Sequence, residues 1–228
     1  MLVIKNARVR GILKTAIPFL LIPALVASGV LLLKEKQYYL VSLGVAVLSL
    51  LLFAAGFKKK RTGTRRLIIC AVMIALSVAG RFIPLFKPIT ALTVITAVYL
   101  GGEAGFLVGS MSALISNFYF GQGPWTPFQM LAWGLIGLFA GFLAPVIKKS
   151  RVSLALYGLI SGAAYSLVMD VWTVLWYAEG FSAQLYLTAL ATALPHTVLY
   201  CVSNMIFLWL FARPFGEKLE RVKLKYGV

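Results

Sequence analysis

The sequence is poor in acidic residues, cysteine and histidine. Its 228 residues include only six Asp or Glu, two Cys and one His. Charged residues make up 12% of the chain, whereas an ordinary soluble domain carries about 25%. This composition argues against a soluble core, and it leaves few side chains for metal binding or acid-base catalysis.

Motifs for nucleotide or metal chemistry are also missing. The sequence has no Walker A motif, no His-Cys cluster with metal-ligand spacing and no predicted membrane segment with paired acidic residues. Cys70 and Cys201 lie inside apolar runs, where cysteine usually acts as a small packing residue. We therefore expect no catalytic residue, no metal, no cofactor and no disulfide, and any ATP hydrolysis must come from another chain.

Long apolar runs dominate what is present. Hydrophobic residues make up 61% of the chain, and its mean hydropathy is +0.93. Runs of about 20 apolar residues match the length that a helix needs to cross a hydrocarbon layer of roughly 30 Å. The sequence predicts an all-α membrane protein with eight segments: 11–33, 37–57, 66–84, 88–101, 104–120, 127–147, 152–176 and 186–213. The fourth segment is short for a full span, so we expect a buried or broken helix there.

The net charge of +16 comes from basic residues that lie almost entirely between the apolar runs. This distribution argues against nucleic acid as a partner and favours contact with anionic lipid. Lys and Arg are retained on the cytoplasmic side, so we predict a multi-pass protein of the plasma membrane with both termini in the cytoplasm. Of the 22 basic residues, this orientation places only four outside: Lys34, Lys36, Arg81 and Lys87.

A basic stretch, residues 58–66, separates two predicted domains. Residues 1–60 are expected to form a transmembrane hairpin, and residues 61–228 a six-helix membrane domain. The basic stretch is interpreted as a topology anchor beside anionic lipid, with a partner-docking site as the alternative.

Unusual polar and aromatic residues collect on the predicted outer side of the membrane. They lie at the end of the third segment, in the loop at 117–129 and near the end of the seventh segment, so they could converge on one pocket. An ionisable group inside a membrane costs about 2.5 to 3.5 kcal/mol, so Asp170 is expected to contact a ligand or to pair, with Arg81 as the candidate partner. The predicted substrate-binding residues are Arg81, Asn117, Tyr119, Gln122, Trp125, Gln129, Trp133, Asp170, Trp172, Trp176 and His196.

These residues also have simpler interpretations. The tryptophans could form an interfacial aromatic belt, and His196 could bond a neighbouring helix. Trp125 differs from the others because Pro124 and Pro127 flank it in a glycine-containing loop. A rigid loop with an aromatic side chain suits a ligand that contains a ring.

Ala71, Ala75 and Ala79 recur every four residues on one face of the third segment. Small residues at this spacing let two helices approach closely, either within the chain or with a partner. The same two interpretations apply to a second series, formed by Gly101, Gly105, Gly109 and Ala113.

Residues 66–214 resemble the S component, the substrate-binding membrane subunit of energy-coupling factor (ECF) transporters. The resemblance rests on six helices, the motif at 71–75, the polar and aromatic outer loop, and a final helix that contains Asn204. It implies that the three alanines contact a transmembrane coupling subunit, that two cytoplasmic ATPases complete an ABC importer, and that the chain captures a vitamin. Residues 123–130 look like those of S components for cobalamin-type compounds, while the N-terminal hairpin departs from the minimal pattern of the family.

Two other functions remain as alternatives. A self-contained secondary carrier or channel would transport without partners and would couple through Asp170 or His196. An intramembrane hydrolase would require Ser161 to meet His196 beside an oxyanion hole.

Overall fold

The computed structural model describes residues 4, 6–32, 37–57, 60–83, 88–178 and 181–227, and their regular structure is entirely helical. The predicted all-α membrane fold is therefore confirmed. Six of the 22 basic residues lie outside the described residues: Lys5, Lys34, Lys36, Lys58, Lys59 and Lys87.

The helices follow one another with short connections. A π-helical turn at Ile17–Leu21 joins the first two α-helices. The α-helices are α1 (Ala7–Ala16), α2 (Ile22–Leu32), α3 (Tyr38–Ala55), α4 (Lys60–Gly80), α5 (Ile89–Leu100), α6 (Gly102–Phe120), α7 (Thr126–Phe142), α8 (Ala144–Ile147), α9 (Arg151–Tyr177) and α10 (Ala183–Tyr226).

Each of the eight predicted segments corresponds to a helix or a helical series. Among the described residues, five helical stretches are long and apolar enough to cross a membrane: Ala7–Val30, Tyr38–Ala55, Thr62–Gly80, Arg151–Tyr177 and Ala183–Tyr226. The short fourth segment is α5, and every residue of it except Tyr99 is buried. Its neighbours α6, α7 and α10 cover it, which confirms the predicted buried helix.

The last helix is longer than the sequence predicted. The predicted segment ends at 213, where the hydropathy falls, but α10 continues through Pro214 to Tyr226. Helical spacing of apolar residues persists in this extension, because Phe215, Leu219 and Val222 are each buried or half-buried.

Glycines bring the backbones of α6 and α7 into direct contact. A Cβ atom at Gly109 would lie 2.5 Å from the carbonyl oxygen of Trp133, and one at Gly105 would lie 2.9 Å from that of Gly137. A Cβ atom at Gly137 would lie 2.5 Å from the carbonyl carbon of Gly105. The small-residue series in α6 therefore serves packing within the chain.

The N-terminal hairpin packs on the outside of α6 and α7 through α3. Lys14 forms an ion pair with Glu103, the second residue of α6, at 2.5 Å. The guanidinium of Arg66 in α4 lies 5.9 Å from the ring centre of Phe53 in α3. These contacts fix the hairpin to the six-helix part.

The two ends of the bundle differ in chemistry. At one end, here called the basic end, Lys14 pairs with Glu103 and Lys148 pairs with Glu220. At the other, here called the loop end, residues 121–125 connect α6 to α7. The predicted binding residues lie towards the loop end.

We predict that Gly109→Ala destabilises the protein, because the added methyl group meets the backbone of α7. Overpacking of this kind costs about 1 to 3 kcal/mol, which corresponds to a fall of about 2 to 12 °C in the melting temperature of a chain of this size. Gly11→Ala is the matched control, since nothing lies within 4 Å of a Cβ atom at Gly11. Equal melting temperatures for the two purified variants would contradict the proposed α6–α7 contact.

Candidate ligand-binding site

Asn117 is the centre of a hydrogen-bond network at the loop end. Its side chain is fully buried near the end of α6. The amide nitrogen donates to Thr126 Oγ1 at 2.9 Å and to Gln129 Oε1 at 2.8 Å, and the amide oxygen accepts from Arg81 Nη1 at 2.7 Å. One side chain therefore ties the residue that follows α4 to the beginning of α7.

The network extends from this centre into α9. Gln129 Nε2 donates to the hydroxyl oxygen of Tyr165 at 3.0 Å. Arg81 Nη1 also donates to Ser116 Oγ at 2.6 Å, and its guanidinium lies 4.6 Å from the ring centre of Phe120. Side chains from four elements that are distant in sequence thus form one polar cluster. Because these side chains are removed from water, their polar groups must form hydrogen bonds with one another.

Stacked rings border this polar cluster. The rings of Trp133 and Tyr165 are nearly parallel, with centres 4.5 Å apart and an interplanar angle of 18°. The ring centres of Tyr200, in α10, and Tyr165 lie 5.1 Å apart. Trp133 Nε1 donates to Thr90 Oγ1 at 3.0 Å. The hydrogen bond and the stacking hold the indole of Trp133 in one orientation.

A second group of rings lies beside the outer loop. Trp125 packs edge to face against Trp172 at 6.0 Å, and Trp172 stacks on Trp176 at 6.1 Å. All three side chains are half-buried. Trp172 Nε1 is buried and has no hydrogen-bond partner among the described residues, so this ring offers a donor to a bound molecule.

The connection from α6 to α7 is held by its own side chains. Gln122 Nε2 donates to the carbonyl oxygen of Leu114 at 2.9 Å, and Gln122 Oε1 accepts from Thr126 Oγ1 at 3.0 Å. The indole of Trp125 covers Gly123, where a Cβ atom would lie only 2.3 Å from the ring. Gly121 has a φ of +105°, a conformation that favours glycine. This sequence therefore places Trp125 over the end of the bundle.

The structure brings most of the predicted residues together at the loop end. Five of them belong to the polar network or its border: Arg81, Asn117, Gln122, Gln129 and Trp133. Three more form the second aromatic group: Trp125, Trp172 and Trp176.

Two predicted residues lie apart from the network. Tyr119 is 71% exposed and packs on Phe82, with ring centres 4.5 Å apart. His196 is exposed on α10 and takes part in none of the hydrogen bonds that form the network. The aromatic contact of Tyr119 lies on the surface.

Asp170 and Arg81 do not form the pair that the sequence suggested. Arg81 bonds to Ser116 and Asn117, whereas Asp170 Oδ2 is buried without a hydrogen-bond partner among the described residues. The hydroxyls of Ser166 and Thr197 meet at 2.5 Å between α9 and α10. Asp170 lies one turn beyond Ser166 on the same face of α9, so it is directed towards α10 rather than towards Arg81.

Sequence reasoning missed four residues of the site: Ser116, Thr126, Tyr165 and Tyr200. A signal exists for the two tyrosines, because each lies well inside an apolar segment, where a phenol needs a polar partner. Ser116 and Thr126 give no comparable signal, since hydroxyl side chains are common in membrane helices and bond their own backbone.

The three alanines of α4 are exposed and line a groove on the surface of the chain. The groove has a volume of about 510 Å³, and its other lining residues are Ile74, Val78, Phe82 and Ile115. All of these residues belong to α4, to the turn after it or to α6, so the hairpin does not line it. The packing of α6 uses glycines inside the chain, but the alanine face of α4 is open.

The fold and the contacts at the loop end define a class: a multi-pass helical membrane protein with a polar and aromatic cluster between its helices. A model of the family described as "ECF-type riboflavin transporter, S component" matches residues 61–221. The chain therefore belongs to the S-component family of ECF transporters, which are transporter subunits and not enzymes. The predicted family is confirmed, but the cobalamin-type subgroup is not, because the family description names riboflavin. Helices α1 to α3 precede the matched region.

Two relatives agree with this membership over part of the chain. They are UPF0397 proteins of Aliivibrio fischeri, from strains MJ11 and ATCC 700601/ES114, and each is 31% identical over 110 residues. The matches cover 42% of this chain and 57% of each relative. No solved structure matches the chain.

We predict that Asn117→Leu lowers stability and abolishes ligand binding, because Arg81, Thr126 and Gln129 each lose a buried partner. Each unsatisfied group costs about 1 to 3 kcal/mol. Asn204→Leu is the matched control: Asn204 is equally buried, but its amide has no hydrogen-bond partner among the described residues. Melting temperatures of both purified variants test this. A larger fall in melting temperature for Asn204→Leu than for Asn117→Leu would refute the central role of Asn117.

Proposed function

We propose that this chain is the ligand-capturing subunit of an ECF-type ABC importer. It binds a vitamin or related micronutrient from outside and passes it to a transmembrane coupling subunit, which two cytoplasmic ATPases drive. One observation carries the proposal: a polar and aromatic site inside the chain coexists with a separate, open small-residue groove on α4. The first suits a ligand, and the second suits a partner helix.

The proposed orientation places the basic end in the cytoplasm and the loop end outside. Basic residues concentrate at the basic end, where Lys14, Arg66 and Lys148 lie beside helix ends. Of the four basic residues predicted to lie outside, Arg81 is the one among the described residues, and the hydroxyl of Ser116 and the amide oxygen of Asn117 accept from it at the loop end.

Labelling of single cysteines tests this orientation. In a background in which Cys70 and Cys201 are replaced by Ala, we expect a membrane-impermeant thiol reagent to label Tyr119→Cys in intact cells and Lys149→Cys only after lysis. Both positions are exposed, and they lie at opposite ends of the bundle. The reverse pattern would invert the topology and place the binding site on the wrong side.

The proposed ligand is a vitamin with a large ring system. Three tryptophans at the loop end provide flat apolar area, and Trp172 Nε1 provides a donor. Two specific candidates have support of different kinds: riboflavin is named in the family description, and a cobalamin-type compound is suggested by residues 123–130. Mass spectrometry of the compound that the purified protein retains distinguishes them, and retention of neither compound would refute both.

We predict that Trp125→Ala weakens binding of the retained compound by about 1 to 3 kcal/mol, the loss expected for an aromatic anchor. Stability should change little, because the Trp125 side chain is half-buried in the loop. Trp209→Ala is the control, since Trp209 is 42% exposed on α10 and lines a different groove. Calorimetric titration measures both affinities. An unchanged affinity for Trp125→Ala would return this residue to an interfacial role.

We predict that the double variant Ala71→Leu, Ala75→Leu abolishes uptake but preserves ligand affinity. Both alanines are exposed, and association of helices in lipid depends on close packing. Ala191→Leu changes an exposed alanine of α10 in the same way and should leave uptake intact.

The test compares ligand affinity of the purified double variant, uptake by cells that contain the coupling subunits, and co-purification of those subunits. Full uptake by the double variant would show that the alanine face does not contact a partner. Loss of ligand affinity would show that the alanines pack within the chain. A carrier coupled through Asp170 or His196 has less support, because neither side chain belongs to the network of described residues around Asn117.

A further inference from the structure

A smaller groove lies at the basic end, between α4 and the last turns of α10. It has a volume of about 290 Å³, and its lining residues are Arg65, Ile68, Ile69, Val222 and Tyr226. Arg65 Nη1 donates to the carbonyl oxygen of Tyr226. The C-terminal extension of α10 therefore meets the beginning of the helix that carries the exposed alanines.

In the proposed orientation, this groove lies at the cytoplasmic edge of the membrane. Lys148 pairs with Glu220, which precedes Val222 by two residues. Arg66, which follows Arg65, donates to the carbonyl oxygen of Leu100 at the end of α5. Arg65 and Arg66 lie in the first turn of the span Thr62–Gly80, and Ile68 and Ile69 follow them towards its apolar middle. The groove thus has a charged side chain at its aqueous end and apolar side chains on its membrane side.

The charge around the groove is positive. Four exposed basic residues lie in the last turns of α10, at Lys218, Arg221, Lys223 and Lys225, against one exposed acidic residue there besides Glu220, Glu217. Glu220 is already paired with Lys148. A guanidinium has five N–H donors, and the bond to Tyr226 accounts for one of those of Arg65. An anionic group that also carries an apolar chain would therefore fit both parts of the groove.

We propose that this groove binds an anionic phospholipid of the cytoplasmic leaflet, with the phosphate at Arg65 and an acyl chain along Ile68, Ile69 and Val222. The alanine groove, at about 510 Å³, has only apolar lining residues and suits a partner helix. The groove at Arg65 combines a guanidinium with apolar side chains, and this combination suits a lipid. The inference rests on the proposed orientation and is independent of the vitamin. Bound lipid would join α10 to the docking helix α4.

The experiment is native mass spectrometry of the full chain, purified and exchanged into micelles that contain equal amounts of phosphatidylglycerol and phosphatidylcholine. We expect the protein to retain phosphatidylglycerol preferentially. Arg65→Gln should reduce this preference about fivefold, the factor that one basic side chain contributes near an anionic surface. Arg151→Gln is the matched control, because Arg151 is exposed at the beginning of α9 and does not line the groove.

A second variant tests the apolar part of the groove. Val222→Trp fills the space beside Ile69 and leaves Arg65 in place, so it should also reduce retention of phosphatidylglycerol. Melting temperatures of all variants, measured without added lipid, identify any that fail to fold. Inorganic phosphate at millimolar concentration should not displace the lipid, because it lacks the acyl chain.

Three results would overturn the proposal. Equal losses of retention in Arg65→Gln and Arg151→Gln would indicate general electrostatic attraction. Displacement of the lipid by inorganic phosphate would indicate a free-phosphate site. Unchanged lipid retention in Arg65→Gln, together with weaker co-purification of the cytoplasmic ATPases, would identify the groove as a protein-docking surface. None of these results bears on vitamin binding, so failure of this inference is distinguishable from failure of the proposed function.

Discussion

The backbone contact between α6 and α7 is the constraint on which the rest of the structure depends. Gly105 and Gly109 let the two helices approach to a distance that no larger side chain permits. The same approach brings Asn117, near the end of α6, within hydrogen-bond distance of Gln129 at the beginning of α7. The close packing of these apolar helices therefore fixes the distances between the side chains of the polar cluster. The loop that carries Trp125 lies at the edge of this cluster.

Helix α4 connects the two surfaces that the proposed function requires. Arg81, in the turn after its last residue, belongs to the polar network, whereas Ala71 and Ala75 face away from the chain. At 1.5 Å per residue, these alanines lie about 9 to 15 Å from Arg81 along the helix. Ligand and partner can thus contact the same helix through different side chains. A change in α4 on ligand binding could in this way alter the surface that the coupling subunit contacts.

Hydropathy and charge predicted the helical segments and the short buried helix α5, because both depend on length and composition. Side-chain direction was not predictable in the same way. Asp170 was expected to contact a ligand or to pair, with Arg81 as the candidate partner. Arg81 instead bonds to Ser116 and Asn117, and Asp170 shares the face of α9 on which Ser166 meets Thr197 of α10. The extension of α10 was missed because hydropathy falls after residue 213 although helical periodicity continues. Contacts that depend on helix rotation, such as the one between Gln129 and Tyr165, require the three-dimensional structure.

The central claim is that the chain captures a ligand but cannot transport it alone. Uptake into proteoliposomes tests this most directly, with the chain reconstituted either by itself or with its coupling subunit, both ATPases and ATP. Accumulation of the retained vitamin only in the complete system, and only with ATP, is the predicted result. ATP-independent uptake by the chain alone would contradict the account and favour a self-contained carrier.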